Sequence, residues 1–152
     1  MVKNKIIEFS GVSKTYRERN GESVNALQPS NLTIYEGEFF TLLGPSGCGK
    51  TTALRLMAGF IQPSEGQIKI AGKIMNDIPP YHRPVNMVFQ DYALFPHLSV
   101  FENVAFGLKI KKVSKEEIKD RVHQALEVVQ LRGFENRRPG QLSGGQKQRV
   151  AL

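Results

Sequence analysis

Nine residues, GPSGCGKTT at 44–52, constrain what this chain can fold into more than any other stretch. Gly44, four further residues, then Gly49, Lys50 and Thr51 satisfy the pattern G-x-x-x-x-G-K-[ST]. The residue types answer a physical demand. A polyphosphate needs many hydrogen-bond donors at close range, and backbone N–H groups are the densest supply. Side chains block that approach, so Gly44, Gly47 and Gly49 carry none, while Pro45, Ser46 and Cys48 fill the loop between them. The N-terminus of a following helix adds a partial positive charge. In this pattern Lys50 reaches the β and γ phosphates, the Thr51 hydroxyl coordinates Mg²⁺, and Thr52 sets a second hydroxyl beside it. Cys48 reads either as a small filler or as a thiol activated by Lys50 and the helix end.

The flanks fit a strand–loop–helix unit. FFTLLG at 39–44 is a short apolar run ending in glycine, the pattern of a strand buried on both faces. KTTALRLMAGF places Leu54, Met57 and Ala58 at helical spacing, and Gly59 suits a helix stop. VNMVFQ at 85–90 is a second buried-strand candidate. Partial alternation in IIEFSGVSKTY, NLTIYEGE and GQIKIAGKIM predicts an antiparallel set, with turns at GESV and Gly37. IPPYHRP, with three prolines, predicts a loop.

The texture changes at Asp91. SKEEIKDRVHQALEVVQL predicts a helix: Ser114 and Glu117 form a capping box, and Ile118, Val122, Ala125, Leu126 and Val129 share a face. His123 lies off that stripe and reads as a solvated or boundary residue. Ser143 and Gln146 make another capping-box pattern at the start of a last helix.

Composition sets outer bounds. The chain has 152 residues, 40% hydrophobic and 23% charged, enough for one domain with a real core. Its formal charge of +7 reads either as a sign of a partner bearing phosphates or, the preferred reading, as ordinary variation in charge count in a chain that is part of something larger. No stretch interleaves dense basic residues with stacking aromatics, so no nucleic-acid partner is expected. The tightest basic cluster, Lys109, Lys111 and Lys112, is followed closely by Glu116 and Glu117. No apolar run approaches a membrane span, and MVKNKIIEFSGVSKTY shows no secretory leader. With Cys48 as the single cysteine there is no intrachain disulfide, and a cytosolic protein is expected.

LSGGQKQRV at 142–150 selects among nucleotide-binding classes. Together with the phosphate loop and VFQDYALFPHLSVFENVAFGL, it resembles the nucleotide-binding subunit of ABC transporters, over nearly the whole chain and in the family's order. The wording around Gln90 is most similar to importer ATPases of the spermidine/putrescine group. The resemblance implies an α/β P-loop NTPase core with an antiparallel β subdomain over residues 1–90 and an α-helical subdomain over 91–152. It implies ATP and Mg²⁺ as ligands. Tyr16 matches the aromatic that stacks on adenine and Val24 its apolar neighbour. Gln90 matches the glutamine that meets Mg²⁺ and the attacking water. Ser143, Gly144, Gly145 and Gln146 match the signature that completes the site of an opposite subunit.

The residues of that signature agree on their own terms. Ser143 starts a helix, and Gly144 and Gly145 leave its first N–H groups bare, which makes an anion site. The expectation is a head-to-tail dimer closed by two ATPs. Implied further partners are transmembrane permease subunits and, indirectly, an extracytoplasmic substrate-binding protein, at the cytoplasmic face of the membrane. Phe95, Leu98, Phe101 and Phe106 fall where the family docks its membrane partner's coupling helix. For most of them a place in the helical core is expected, with Glu102 and Asn103 exposed.

Three further elements of the family pattern follow the signature: an apolar strand ending in Asp-Glu, a switch histidine and a regulatory β domain. None lies within these 152 residues, since His82, His97 and His123 all precede the signature. The C-terminal part of the core is therefore expected to be missing, with unpaired apolar strands at 39–44 and 85–90 and negligible hydrolysis by this chain alone. The alternatives are a soluble ABC-type ATPase and a non-hydrolysing nucleotide-binding or dimerisation module.

Overall fold

Two 13-residue strands, β1 (Lys5–Arg17) and β2 (Ser23–Tyr35), form the spine of the N-terminal half in a computed structural model that describes residues 3–17 and 21–152. They pair antiparallel, with Phe9 opposite Leu32 and Tyr16 opposite Val24. The register shifts between Phe9 and Val12, where the Gly11 N–H donates to the Asn31 side-chain carbonyl at 2.8 Å. On its other edge β1 pairs antiparallel with β3 (Glu65–Ile70), and β3 with the short β4 (Lys73–Ile74). The sheet order is β2-β1-β3-β4.

One face of this sheet is covered by α1 (Lys50–Ala58). Ala53, Leu56 and Met57 pack with Phe9, Val12, Ile68, Ile70 and Met75 into one core. Leu54, expected inside, is 45% exposed. The helix presents its 53–56–57 face, and Leu54 lies one residue, about 100° of rotation, away from it.

Both predicted buried strands differ from expectation. Residues 39–44 and 85–90 form no strand, and Phe39 and Leu43 are 96% and 94% exposed. A parallel strand exists only with a ladder neighbour and cover on both faces. Among the described residues the four-stranded sheet is wholly antiparallel, and neither segment has a place in it. Only Leu42 and Val85 of these runs reach the core. The proline-rich loop holds one 3₁₀ turn, Pro80–His82.

Arg83 follows that turn and is buried, with no carboxylate partner among the described residues. Its guanidinium donates to the carbonyls of Leu56 (2.8 Å), Met57 (3.0 Å), Ile78 (2.7 Å) and Met75. It thereby gives the Met57 carbonyl a donor, adds a second one to the Leu56 carbonyl beside the Gly59 N–H, and ties the end of α1 to Met75 and Ile78. Burial pulls its pKa below the usual arginine range. Gly59, left-handed at φ +83°, is the helix stop, and a Cβ there would collide with the Arg83 guanidinium.

The chain divides into two compact units, Met1–Asn86 and Met87–Leu152. The second holds α2 (Val100–Ile110), α3 (Lys115–Val128) and α4 (Gly144–Ala151). Val100, Ala105, Ile118, Val122, Leu126, Leu131, Leu142 and Val150 form its core. Ala125, predicted on the buried stripe of α3, is exposed, because the stripe narrows to Ile118, Val122 and Leu126. Of the Ser114–Glu117 box only the serine half forms, and Glu117 pairs with Arg121 one turn on. His123 is a boundary residue, its Nδ1 3.6 Å from Glu135.

Glu102 and Asn103, expected to face solvent, are both half-buried and fixed. Glu102 accepts from the Ser99 N–H at 2.8 Å in a complete capping box. Asn103 accepts from the Phe95 N–H at 2.8 Å and donates to the carbonyls of Phe95, Leu98 and Ser99. A loop that runs into a helix start has several unpaired backbone groups, and these two side chains satisfy them. No helix is long and apolar enough to cross a membrane among the described residues.

Candidate nucleotide-binding site

The loop at 44–49 delivers the chain into α1 through Gly49, which is left-handed at φ +94° and supplies no side-chain cap. A Cβ on Gly49 would sit 3.0 Å from both the Ala26 carbonyl and a Leu27 methyl, so glycine is demanded by conformation and by space. The first turn of α1 contains no acidic residue. Among the described residues, the N–H groups of Gly47, Gly49, Lys50, Thr51 and Thr52 meet no protein acceptor. They form a bare, positively polarised helix start.

Lys50 folds back over this loop. Its Nζ donates to the carbonyls of Gly44 and Pro45 at 2.7 Å each and lies 3.4 Å from Cys48 Sγ. Among the described residues the ammonium has no carboxylate partner, and its neutral acceptors can be replaced by a phosphate oxygen in a stronger, charge-assisted bond. Cys48 is exposed and free. A cleft of 640 Å³ opens along the loop, lined by Ser46, Gly47, Gly49, Lys50, Thr51 and Thr52 with Val24–Ala26 of β2 on its other wall. A triphosphate tail fits this donor set: unpaired amides, one mobile cation and two hydroxyls converge on it.

Val24 therefore meets the phosphate loop in one cleft, and Tyr16 stands opposite Val24 across the β1–β2 ladder. Tyr16 is 44% exposed, with Lys14 Nζ 5.0 Å over its ring. Among the described residues no group of three or more His, Cys, Asp or Glu is placed to hold a metal ion. A cation here would be held by the Thr51 hydroxyl and by oxygens of the nucleotide, as suits Mg²⁺.

Gln90 and the signature belong to the second unit. Gln90 is exposed at the head of a turn whose Tyr92 and Ala93 have φ of +64° and +50°. Ser143 caps α4 with a reciprocal box: its Oγ accepts from the Gln146 N–H at 3.3 Å, and Gln146 Oε1 accepts from the Ser143 N–H at 2.9 Å. The N–H groups of Gly144 and Gly145 stay unpaired and exposed. A methyl on Gly145 would meet nothing within 4 Å, and one on Gly144 only the Tyr92 hydroxyl at 3.5 Å. The Phe95 and Phe106 rings, 4.5 Å apart and 38% and 39% exposed, border a recess of 280 Å³ with Met87 and Tyr92. Phe101 instead packs on the helical core.

Two supporting residues carried no sequence signal. Arg83 binds only backbone carbonyls, so no acidic partner announces it. Arg149 does the same in the second unit, donating to the Val129 carbonyl at 2.8 Å at the end of α3.

Comparison with known proteins covers the same ground. The profile of the ABC transporter family matches residues 27–152. The spermidine/putrescine import ATP-binding protein PotA of Rubrobacter xylanophilus is 63% identical over 127 residues, 84% of this chain and 34% of its own length. The protein of the same name from Acidothermus cellulolyticus is 58% identical over 146 residues, 96% of this chain and 38% of that one. This chain thus spans little more than a third of those relatives. Among solved structures, an ATP-binding cassette dimer in a post-hydrolysis state with ADP and Pi is matched at a TM-score of 0.87 and 37% identity, over 96% of this chain and 67% of that one. A dimeric bacterial ABC transporter cassette gives 0.88 at 38%, over 97% and 67%. A phosphate loop with bare amides, a glycine-led LSGGQ helix and one continuous family match lead to the same conclusion: this chain belongs to the ABC transporter family.

Proposed function

We propose that this chain binds MgATP in the cleft between Val24 and the phosphate loop, as the ATP-binding part of an importer ATPase for spermidine and putrescine. The observation that carries the proposal is the set of unpaired amides of Gly47, Gly49, Lys50, Thr51 and Thr52 beside a lysine that donates to neutral carbonyls. On this reading Lys50 exchanges Gly44 and Pro45 for phosphate oxygens, Thr51 holds the cation, and Val24 and Tyr16 flank the base. Mg²⁺ bound with the nucleotide neutralises charge on the β and γ phosphates. Gln90 is the second candidate metal contact.

The signature supports a head-to-tail dimer. Gly144 and Gly145 offer two exposed N–H groups at a helix start, and the matched cassettes of known structure are dimers. The Phe95–Phe106 recess is the proposed seat for a helix of the permease at the cytoplasmic face of the membrane. A binding protein outside the membrane acts on this chain only through that permease. The polyamine assignment rests on the names of the relatives.

Calorimetric titration with MgATP tests the central claim. Lys50→Ala removes two charge-assisted bonds and weakens binding about a hundredfold, roughly 2.8 kcal/mol. Absence of binding heat from the unsubstituted protein, or an unchanged affinity in Lys50→Ala, overturns it.

A further inference from the structure

The turn from α2 to α3 builds a second recess, lined by no residue of the phosphate loop or the signature. It encloses 530 Å³ and is lined by Phe101, Val113 and Ile118 below and by Lys109, Lys115 and Lys119 around the rim. The floor is continuous with the helical core: Ile118 is buried, and Phe101 and Val113 pack against the same cluster. The rim is cationic by construction. On α3, positions 115, 118, 119 and 122 share one helical face, which sets Lys115 and Lys119 beside Ile118. None of the acidic residues of that helix lines the recess. Glu117 lies on the opposite face and is paired with Arg121, and Glu116 and Asp120 fall on the flank. Lys109 adds a third ammonium from the last turn of α2. Among the described residues none of these three lysines makes an ion pair.

We propose that this recess is a binding site for a small anionic amphiphile, a single-chain carboxylate whose tail lies on Phe101, Val113 and Ile118 and whose head is held by Lys109, Lys115 and Lys119. Three ammonium groups border one apolar opening, and among the described residues none of them is held in an ion pair, so one carboxylate can be met by all three. The shape decides between a molecule and a membrane. A flat bilayer is matched by a convex or planar basic face, whereas these residues border a recess of 530 Å³. Exposed Ile110 nearby lines no part of it. The inference is independent of the nucleotide reading, since no lining residue belongs to the phosphate loop or the signature.

The test is an NMR titration of the protein with decanoate, decanol and decyltrimethylammonium, each kept monomeric. The expected result is saturable decanoate binding with shifts centred on Phe101, Val113 and Ile118, weakened by salt. Each methylene added to the carboxylate tightens it about fourfold, as 0.8 kcal/mol per buried CH₂ requires. The exposed triple variant Lys109→Glu/Lys115→Glu/Lys119→Glu loses affinity by at least about tenfold while MgATP affinity is unchanged. Ile110→Ser leaves decanoate affinity unchanged. Equal binding of all three amphiphiles, indifference to the triple reversal, or a loss of affinity in Ile110→Ser overturns the proposal. So does adsorption to anionic phospholipid vesicles without binding of monomeric decanoate.

Discussion

Two glycine-led helix starts, α1 and α4, solve opposite problems. At α1 the glycine is demanded by the chain's own fold: Gly49 is left-handed, and a Cβ would press on Ala26 and Leu27. At α4 nothing in the chain demands it: Gly145 has open space where a Cβ would go, and glycine is a poor residue for the first turn of a helix. A helix start that gives up stability for no local reason points to an object that must approach it from outside. The caps tell the same story. The N-terminus of α1 is uncapped and its security comes from the other end, where Arg83 grips the Leu56 and Met57 carbonyls. α4 is capped by its own Ser143–Gln146 box, and its last-turn Arg149 serves α3 instead.

The sharpest way to break this contrast is to release the far end of α1. Arg83→Ala removes four hydrogen bonds of about 1 kcal/mol each: among the described residues it leaves the Met57 and Ile78 carbonyls without a donor, while those of Leu56 and Met75 keep only the N–H groups of Gly59 and Ile78. A loss of about 3 kcal/mol in urea unfolding is expected, with the N-terminal unit affected first. A loss well under 1 kcal/mol would mean that the open start of α1 does not depend on its clasped end.

The glycines themselves come next. Gly49→Ala places a side chain at φ +94° with 3.0 Å contacts and is expected to cost about 1–2 kcal/mol. Gly145→Ala is expected to stabilise by up to about 1 kcal/mol, since it replaces glycine within a helix at an open position. The same substitution should reduce MgATP-dependent self-association in sedimentation, because it obstructs the amides offered to a second copy. If both substitutions shifted stability in the same direction, the proposed difference between the two starts would be gone.

How much of this could be read from the sequence depended on the range of the interaction. The phosphate loop, the Gly59 stop and the Ser143–Gln146 box are local, and their residue types carry their own reasons. So are the β1, β2 and β3–β4 alternations, although β2 runs further toward its N-terminus than the pattern in NLTIYEGE suggests. The runs at 39–44 and 85–90 have strand composition but no ladder partner among the described residues, and composition alone cannot supply one. Arg83 and Asn103 were invisible for the converse reason. Their acceptors are mostly main-chain carbonyls, which every residue possesses, so no partner type marks them in a sequence. The exposure of Leu54 came from a choice between two helical faces that only the sheet below α1 decides.

The smallest expected effect compares two capped starts, and it uses protons. α2 and α4 both carry a Ser-x-x-Glu/Gln box, but Glu102 titrates and Gln146 does not. The Ser99 N–H and then the Ser99 hydroxyl hold the Glu102 carboxyl below the ordinary glutamate range, with Lys109 and Arg138 adding to the pull. A depressed folded pKa means that the unfolded chain takes up the proton first. The cap's contribution is therefore whole above the unfolded glutamate pKa and fades as pH falls through the lower, folded one. Glu102→Gln turns the box of α2 into the kind found on α4, which can still accept from Ser99 but cannot be protonated in that range. Urea midpoints at neutral and at acid pH should then differ less in the variant than in the unsubstituted protein. Equal pH dependence in the two proteins would show that the carboxylate at the start of α2 does no more than the neutral amide at the start of α4.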